Sequence, residues 1–117
     1  MSINLPRTFL ILAAALLLTA CVEKTPLTSE QMPCAGYWVG QDGRVVHIWA
    51  NGGGDFKVQG KKVTGGRAEI TGDRLKIGLW FIEQEWRITK APYRIGSADE
   101  MMLDNQVFRR RGAPACD

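Results

Sequence analysis

The sequence predicts an all-β domain, a small antiparallel barrel or sandwich, and three observations support this prediction. From residue 36 onward, glycine, aspartate and asparagine recur in pairs such as Asn51-Gly52 and Gly72-Asp73, which supply the positive φ of tight hairpins. Short segments rich in β-branched and aromatic residues lie between these turns. No stretch after Cys34 shows the apolar periodicity of a helix.

Seven segments are predicted to be strands: 37–39, 44–50, 55–58, 67–71, 75–80, 83–89 and 106–110. Within 44–50, Val46 and Ile48 face one way, and His47 and Trp49 face the other. Residues 96–100 have the composition of a turn, and a short helical turn is possible over 97–102.

The apolar face changes side between residues 75 and 88. The first apolar set occupies the odd positions Leu75, Ile77, Leu79 and Phe81, and the second occupies Ile82, Trp86 and Ile88. A one-residue change of phase moves every side chain to the opposite face of a sheet. The sequence therefore predicts a turn or bulge near 80–83.

The first 21 residues have the layout of an export signal. Arg7 supplies a positive start, residues 8–18 are almost entirely apolar, and small residues then lead into Cys21. The ending Leu18-Thr19-Ala20-Cys21 resembles the lipobox of bacterial lipoprotein signal peptides. An uncleaved membrane anchor is the alternative, but the apolar run is about half the ~20 residues that a spanning helix needs.

The lipoprotein resemblance implies cleavage before Cys21, a diacylglyceryl group on its sulfur and an acyl chain such as palmitate on its new amino group. Two or more chains give stable membrane anchoring, whereas one does not. Val22 stands where an Asp favours retention in the inner membrane of many Gram-negative bacteria. The resemblance therefore implies an outer-membrane protein that faces the periplasm.

Three regions follow: a signal peptide over 1–20, a lipidated cysteine with a flexible tether over 21–33, and a β domain over 34–117. Removal of residues 1–20 from the 117 leaves 97, the size of one small domain. Arg7 is the only charged residue removed, so the net charge falls from +3 to +2. This weak bias gives no reason to expect a nucleic-acid partner.

Cys34 and Cys116 are the two cysteines that remain once Cys21 carries lipid. An oxidising compartment favours a disulfide between them, which would stabilise the fold by roughly 4 kcal/mol in the chain-entropy model. Two free thiols or a metal pair are the alternatives. His47 is the only histidine, and no cluster of ligands accompanies the cysteines, so no metal or other cofactor is expected.

Gly36-Tyr37-Trp38 matches the G-x-W signature at the first strand of lipocalin-like barrels, and residues 36–40 match its GxWxG form. The resemblance implies that Arg109 or Arg110 of the last strand lies against Trp38 as a cation–π contact that closes the barrel. Because the mature chain is short for a lipocalin, we expect a smaller or incompletely closed barrel rather than a full eight-stranded cup.

No catalytic constellation is visible in the sequence. His47 has no companion motif and is expected to be structural or at the surface. Glu83 and Glu85, and Asp99 and Glu100, are paired carboxylates of a kind that glycosidases use, but alternating charges on a solvated strand are the simpler explanation.

Four tryptophans are many for this length: Trp38, Trp49, Trp80 and Trp86. They can line an apolar cavity, but filling a small core is the preferred interpretation. The sequence thus favours a non-enzymatic binding or accessory lipoprotein that holds a partner protein or a small apolar ligand. The alternatives are a protease or lysozyme inhibitor with a wedge loop at 51–55 or 97–102, and a pilotin-like assembly factor for an outer-membrane machine.

Overall fold

Eight strands follow one another along the chain, each antiparallel to the next, and the last pairs with the first to close a barrel. This computed structural model describes residues 23–112. The strands are β1 (Gly36–Val39), β2 (Val45–Ile48), β3 (Gly53–Val58), β4 (Lys61–Thr71), β5 (Arg74–Leu79), β6 (Ile82–Ile95), β7 (Ala98–Leu103) and β8 (Gln106–Arg111). Single 3-10 turns span Met32–Cys34 and Gln41–Gly43. The predicted all-β barrel is confirmed.

Two long strands allow this short chain to close. β4 pairs with β3 over its first part and with β5 over 67–71, and β6 pairs with β5 over 82–87 and with β7 over 88–95. Each long strand therefore pairs with its two neighbours through successive segments. The other strands complete the barrel with only four to six residues each. The expectation of an incompletely closed barrel is wrong, because it judged closure from chain length alone.

The seventh strand was not expected from the sequence. Of the residues predicted as a turn (96–100) with a possible helical turn (97–102), Gly96 and Ser97 form the turn, whereas 98–102 belong to β7, which pairs with β6 and β8. Met101 and Leu103 point into the core, and Asp99 and Glu100, which suggested a loop, lie near the start of the strand. Asp99 and Glu100 are therefore strand residues.

The predicted turn near 80–83 is present as a two-residue connection, because Leu79 pairs with Ile82. Trp86 is buried, as expected for a member of the second apolar set, Ile82, Trp86 and Ile88. Phe81, however, is exposed and not part of the apolar face with Leu75 and Ile77, because the chain has already left β5 when it reaches this residue.

The segment before the barrel packs against it earlier than the sequence suggested. Leu27 is buried with the core, and its backbone N–H donates to the Ala50 carbonyl. Gln31 donates its side-chain amide to the Ile70 carbonyl. Gly52 is required here, because a Cβ would collide with the backbone carbonyl of Thr25. The tether predicted over 21–33 is therefore shortened, since apolar burial fixes it from Leu27 onward.

Candidate functional site

Side chains fill the interior of the barrel. The largest fully buried ones are Trp38, Phe56, Phe108, Ile48, Leu75, Ile77, Met101, Leu103 and Val46. Trp86 joins them and meets Phe56 edge to face, with ring centroids 5.5 Å apart. An eight-stranded barrel is just wide enough for side chains to fill it. Two of the four tryptophans, Trp38 and Trp86, are thus core residues.

Clefts form at the surface and at the rim. A cleft of about 560 Å³ and one of about 270 Å³ adjoin at the end of the barrel where β3 meets β4, and Arg44, Val58 and Gln59 line both. A third, of about 170 Å³, lies on the outer side of β4, β5 and β6 beside Trp80. All three include charged side chains, unlike the apolar pockets that hold small apolar ligands.

An aromatic row crosses the outer side of β1, β2 and β3. Tyr37 pairs with His47, and His47 pairs with Asp55, so the strand register brings the three side chains together. The Tyr37 ring meets the His47 ring edge to face at 5.2 Å. We call Tyr37, His47, Trp49 and Asp55 the outer aromatic face.

Trp49 is the most exposed member of the outer aromatic face, at 42%. Its ring stacks on His47 at 4.1 Å, and its Nε1–H donates to Asp55 Oδ2 at 2.9 Å. Asp55 Oδ1 in turn accepts the backbone N–H of Gly65 at 2.6 Å. The indole is therefore held in one orientation while nearly half of it faces solvent, which is the preorganisation that a binding anchor needs.

Burial lowers the pKa of His47, and the nearby Asp55 carboxylate offsets part of this effect. His47 Nδ1 lies 3.6 Å from Asp55 Oδ2, which is beyond hydrogen-bond distance. Among residues 23–112, no group of three or more His, Cys, Asp or Glu side chains is placed to hold a metal ion. The arrangement suits aromatic contact with a ligand better than acid–base work.

The strand pairing of Trp38 with Arg110 closes the barrel at β1 and β8. The Arg110 guanidinium carbon lies 4.5 Å from the centroid of the Trp38 ring, and its Nη1 donates to Asp99 Oδ2 at 2.6 Å. Gly36 has a φ of 148°, and a Cβ there would lie 2.8 Å from Arg110 Nε. Of the two arginines that the sequence offered, Arg110 therefore occupies this position.

Arg109 points to the outer side, because neighbouring strand residues alternate. Its Nε and Nη2 donate to Glu100 Oε2 at 3.1 and 2.8 Å, and Tyr93 donates its hydroxyl to Glu100 Oε1 at 3.0 Å. These hydrogen bonds, from Arg109 first, lower the pKa of Glu100. Glu100 is thereby satisfied as part of a structural network.

Trp80 and Phe81 form the tip of the β5–β6 hairpin and are exposed by 78% and 89%. Glu83 and Glu85 are also exposed and share the outer side of β6. Glu85 lies 3.4 Å from Arg74 of the neighbouring strand. Glu83 and Glu85 therefore lie on a solvent-exposed strand face, as the alternating charges predicted.

Cys34 is buried beneath β1, and its carbonyl accepts the Nε1–H of Trp38 at 2.8 Å. Burial raises the pKa of its thiol. The remaining predicted site residues lie outside the described range: Leu18, Thr19, Ala20, Cys21 and Cys116. The Cys34–Cys116 disulfide stays a prediction.

No protein-family model matches this chain, and neither curated proteins nor solved structures gave a match. Within residues 23–112, no helix is long and apolar enough to cross a membrane. The site is therefore interpreted from its own geometry.

Sequence analysis did not identify the roles of Asp55 and Tyr37 or the projection of Phe81. Asp55 follows a glycine run and gave no motif, and only the register of β2 with β3 brings it to His47 and Trp49. The alternation of 44–50 did place His47 and Trp49 on one side, so the outward face of that strand was the available signal.

Proposed function

We propose that this chain is a lipid-anchored, non-enzymatic binding or accessory protein of the bacterial cell envelope, which contacts a protein partner through the outer aromatic face. The observation that carries the proposal is the filled interior: Trp38 and Trp86 pack the core, whereas Trp49 is held in place at the surface. A small apolar ligand would need the space that the core side chains occupy.

The anchor rests on the sequence ending Leu18-Thr19-Ala20-Cys21. The chain lies against the barrel from Thr25 onward, four residues after Cys21. Four residues reach at most about 14 Å, so a lipid on Cys21 would keep the barrel beside the membrane. The localisation that follows is the outer membrane, facing the periplasm.

The outer aromatic face has the features of a protein-binding hot spot. Tryptophan and tyrosine are enriched in such spots, where a few preordered side chains supply most of the affinity. Trp49 loses little freedom on binding, because its stack on His47 and its hydrogen bond to Asp55 already fix its ring. The Nε1–H of Trp49 is already hydrogen-bonded to Asp55, so the exposed part of its ring is available for apolar contact.

An inhibitor is less well supported. Its expected wedge loops were 51–55 and 97–102, but most of 51–55 is in β3 and most of 97–102 is in β7. Gly52 also packs closely on Thr25. Neither segment projects as a loop for insertion into an enzyme cleft.

Site-specific photocrosslinking in intact cells tests the partner proposal. A photoreactive residue at Arg111, an exposed position that pairs with Tyr37, should give an adduct of one defined mass whose protein is identified by mass spectrometry. The matched control is Arg74 on β5, because β5 is four strands from β1, the strand of Tyr37, and so lies opposite it in an eight-stranded barrel.

The variant Trp49→Ala should weaken capture at Arg111 by about tenfold or more, as expected for an interface anchor. Its melting temperature is measured alongside, so that unfolding is distinguished from loss of contact. The proposal would be refuted if the partner crosslinked equally well at residues 111 and 74. It would also be refuted if Trp49→Ala left the crosslinking yield at residue 111 unchanged.

A further inference from the structure

The tip of the β5–β6 hairpin has two features that the fold does not require. Trp80 and Phe81 are the two connecting residues, and they are the most exposed of the large apolar side chains in residues 23–112. Single exposed apolar residues are ordinary, but two adjacent aromatic rings at a projecting tip form an apolar patch.

The backbone of Trp80 is also in an unfavourable conformation. Trp80 has a φ of 57°, in the left-handed region that bulky residues rarely adopt. Phe81 does not share this positive φ, and two-residue hairpins with positive φ at the first position alone favour glycine there. Local stability therefore disfavours tryptophan at residue 80, and a strained residue within an exposed aromatic pair indicates a role outside the fold.

We infer that the Trp80–Phe81 tip inserts into the interfacial region of a lipid bilayer and gives the protein a second membrane contact. The cleft of about 170 Å³ beside Trp80 is lined by charged side chains and gives no apolar site for a small ligand. The bilayer interface accepts aromatic rings without shape complementarity, and tryptophan is enriched there because it has an apolar body and a polar edge.

The length of the chain before the barrel makes this contact reachable. The Thr25 backbone already lies against Gly52, so residues 21–25 allow about 14 Å of separation between Cys21 and the barrel, and β5, at six residues, is about 20 Å long. A barrel lying on its side can therefore bring its tip to the same bilayer. This step rests on the proposed lipid at Cys21, which turns a weak contact into an intramolecular one.

Charged groups of both signs lie near the tip, since Glu69 and Glu83 line the cleft beside Trp80 together with Arg67 and Lys76, and further basic groups lie at the neighbouring hairpin. Lys61 donates its Nζ–H to the Glu83 carbonyl at 3.3 Å, which places an ammonium at the base of the hairpin. Lys57 and Lys62 pair with each other across β3 and β4, beside the β3–β4 turn that also carries Lys61. Basic groups next to inserted aromatic rings are attracted to anionic headgroups.

Membrane contact at this tip also orients the proposed partner site. In a closed eight-stranded barrel, β1 and β2 lie opposite β5 and β6. The outer aromatic face, carried by β1, β2 and β3, would then lie on the side of the barrel opposite the inserted tip, and the segment that leads to Cys21 would leave the barrel beside Ala50 and Gly52.

Vesicle flotation tests the inference on the mature chain, residues 21–117, with Cys21→Ser so that no lipid contributes. All eight strands lie within residues 36–111, so the barrel is retained. The probe is a vesicle of phosphatidylethanolamine and phosphatidylglycerol. The double variant Trp80→Gly, Phe81→Asn should lower the partition coefficient by about tenfold or more.

The same double variant should keep or raise the melting temperature, because glycine relieves the strain at residue 80 and is the favoured first residue of this turn. The matched control is Ile95→Asn, an exposed apolar residue at the end of β6, which should leave partition unchanged. Lipids brominated on their acyl chains should quench tryptophan emission of the unchanged protein, and Trp80→Phe should remove that quenching while vesicle binding persists.

Three results would overturn the inference: equal partition of the Trp80→Gly, Phe81→Asn variant, a lower melting temperature of that variant, or a tip-dependent dimer in sedimentation in place of vesicle binding. These outcomes are independent of the proposed function. A failure of lipidation at Cys21 or of photocrosslinking at Arg111 leaves the vesicle measurement unaffected.

Discussion

Arg110 lies directly across from Trp38 in the β1–β8 pairing, and its guanidinium carbon is 4.5 Å from the centre of the Trp38 ring. The same guanidinium donates to Asp99 of β7 and to the backbone carbonyl of Pro33. One side chain thus joins the first strand, the last two strands and the segment before the barrel. Its loss should weaken closure of the barrel.

Arg110→Ala should lower the free energy of unfolding by about 1–3 kcal/mol, since it removes the cation–π contact and leaves Asp99 without this partner. Urea denaturation measures the change. Arg111→Ala is the matched control, because Arg111 is exposed on the same strand, and it should change stability by less than about 0.5 kcal/mol. Equal effects of the two variants would contradict the closing role of Arg110.

His47 should make stability depend on pH in a defined direction. Burial lowers its pKa below the ordinary 6.5, so the unfolded chain takes up a proton more readily than the folded one. Stability should therefore be greatest above pH 6.5 and should fall as the pH decreases from 6.5 towards the folded-state pKa. Urea midpoints across this range measure the slope.

The matched variant is His47→Phe, which keeps a ring beside Trp49 but cannot titrate, and its slope in this pH range should be smaller. Because His47 is the only histidine, its ring resonances report the pKa directly in NMR spectra. Asp55→Asn should lower that pKa further by removing a nearby negative charge. A folded-state pKa at or above 6.5 would contradict the prediction.

Local patterns in the sequence predicted much of the barrel. The alternation of Val46 and Ile48 with His47 gave the correct inward and outward sides of β2, and the phase change near residue 80 gave the hairpin. Both are properties of contiguous residues. Turn pairs and period-two patterns carry such information without knowledge of the rest of the chain.

The remaining features depend on contacts between distant residues. β7 begins with polar residues, and Glu100 is buried there only because Arg109 and Tyr93 satisfy its carboxylate. Asp55 reaches Trp49 through the register of β2 with β3. Closure itself depends on how β6 divides its length between two neighbours, which no local pattern encodes.

A disulfide between Cys34 and Cys116 should contribute about 2–4 kcal/mol. β8 ends beside β1, where Tyr37 pairs with Arg111, so the described chain approaches the region of Cys34 shortly before Cys116. Cys116→Ser should lower the melting temperature by about 10 °C or more. Cys34→Ser should lower it at least as much, because it also buries a hydroxyl.

Reduction provides the control for the disulfide. The unchanged protein in reducing agent should melt close to the Cys116→Ser variant, and adding the second substitution should cost little more than the first, since one bond is lost only once. Melting temperatures that do not respond to reducing agent would show that the bond is absent or does not affect stability.

Membrane retention in cells should depend on Cys21 alone among the three cysteines. Cys21→Ser should move the full-length protein from the membrane pellet to the soluble fraction after washing, because an interfacial contact by Trp80 and Phe81 is weak without a covalent lipid. Cys34→Ser is the matched control, since it also removes a thiol but should remain in the pellet. Retention of the Cys21→Ser protein after washing would show that the chain is held by something other than a lipid on this residue.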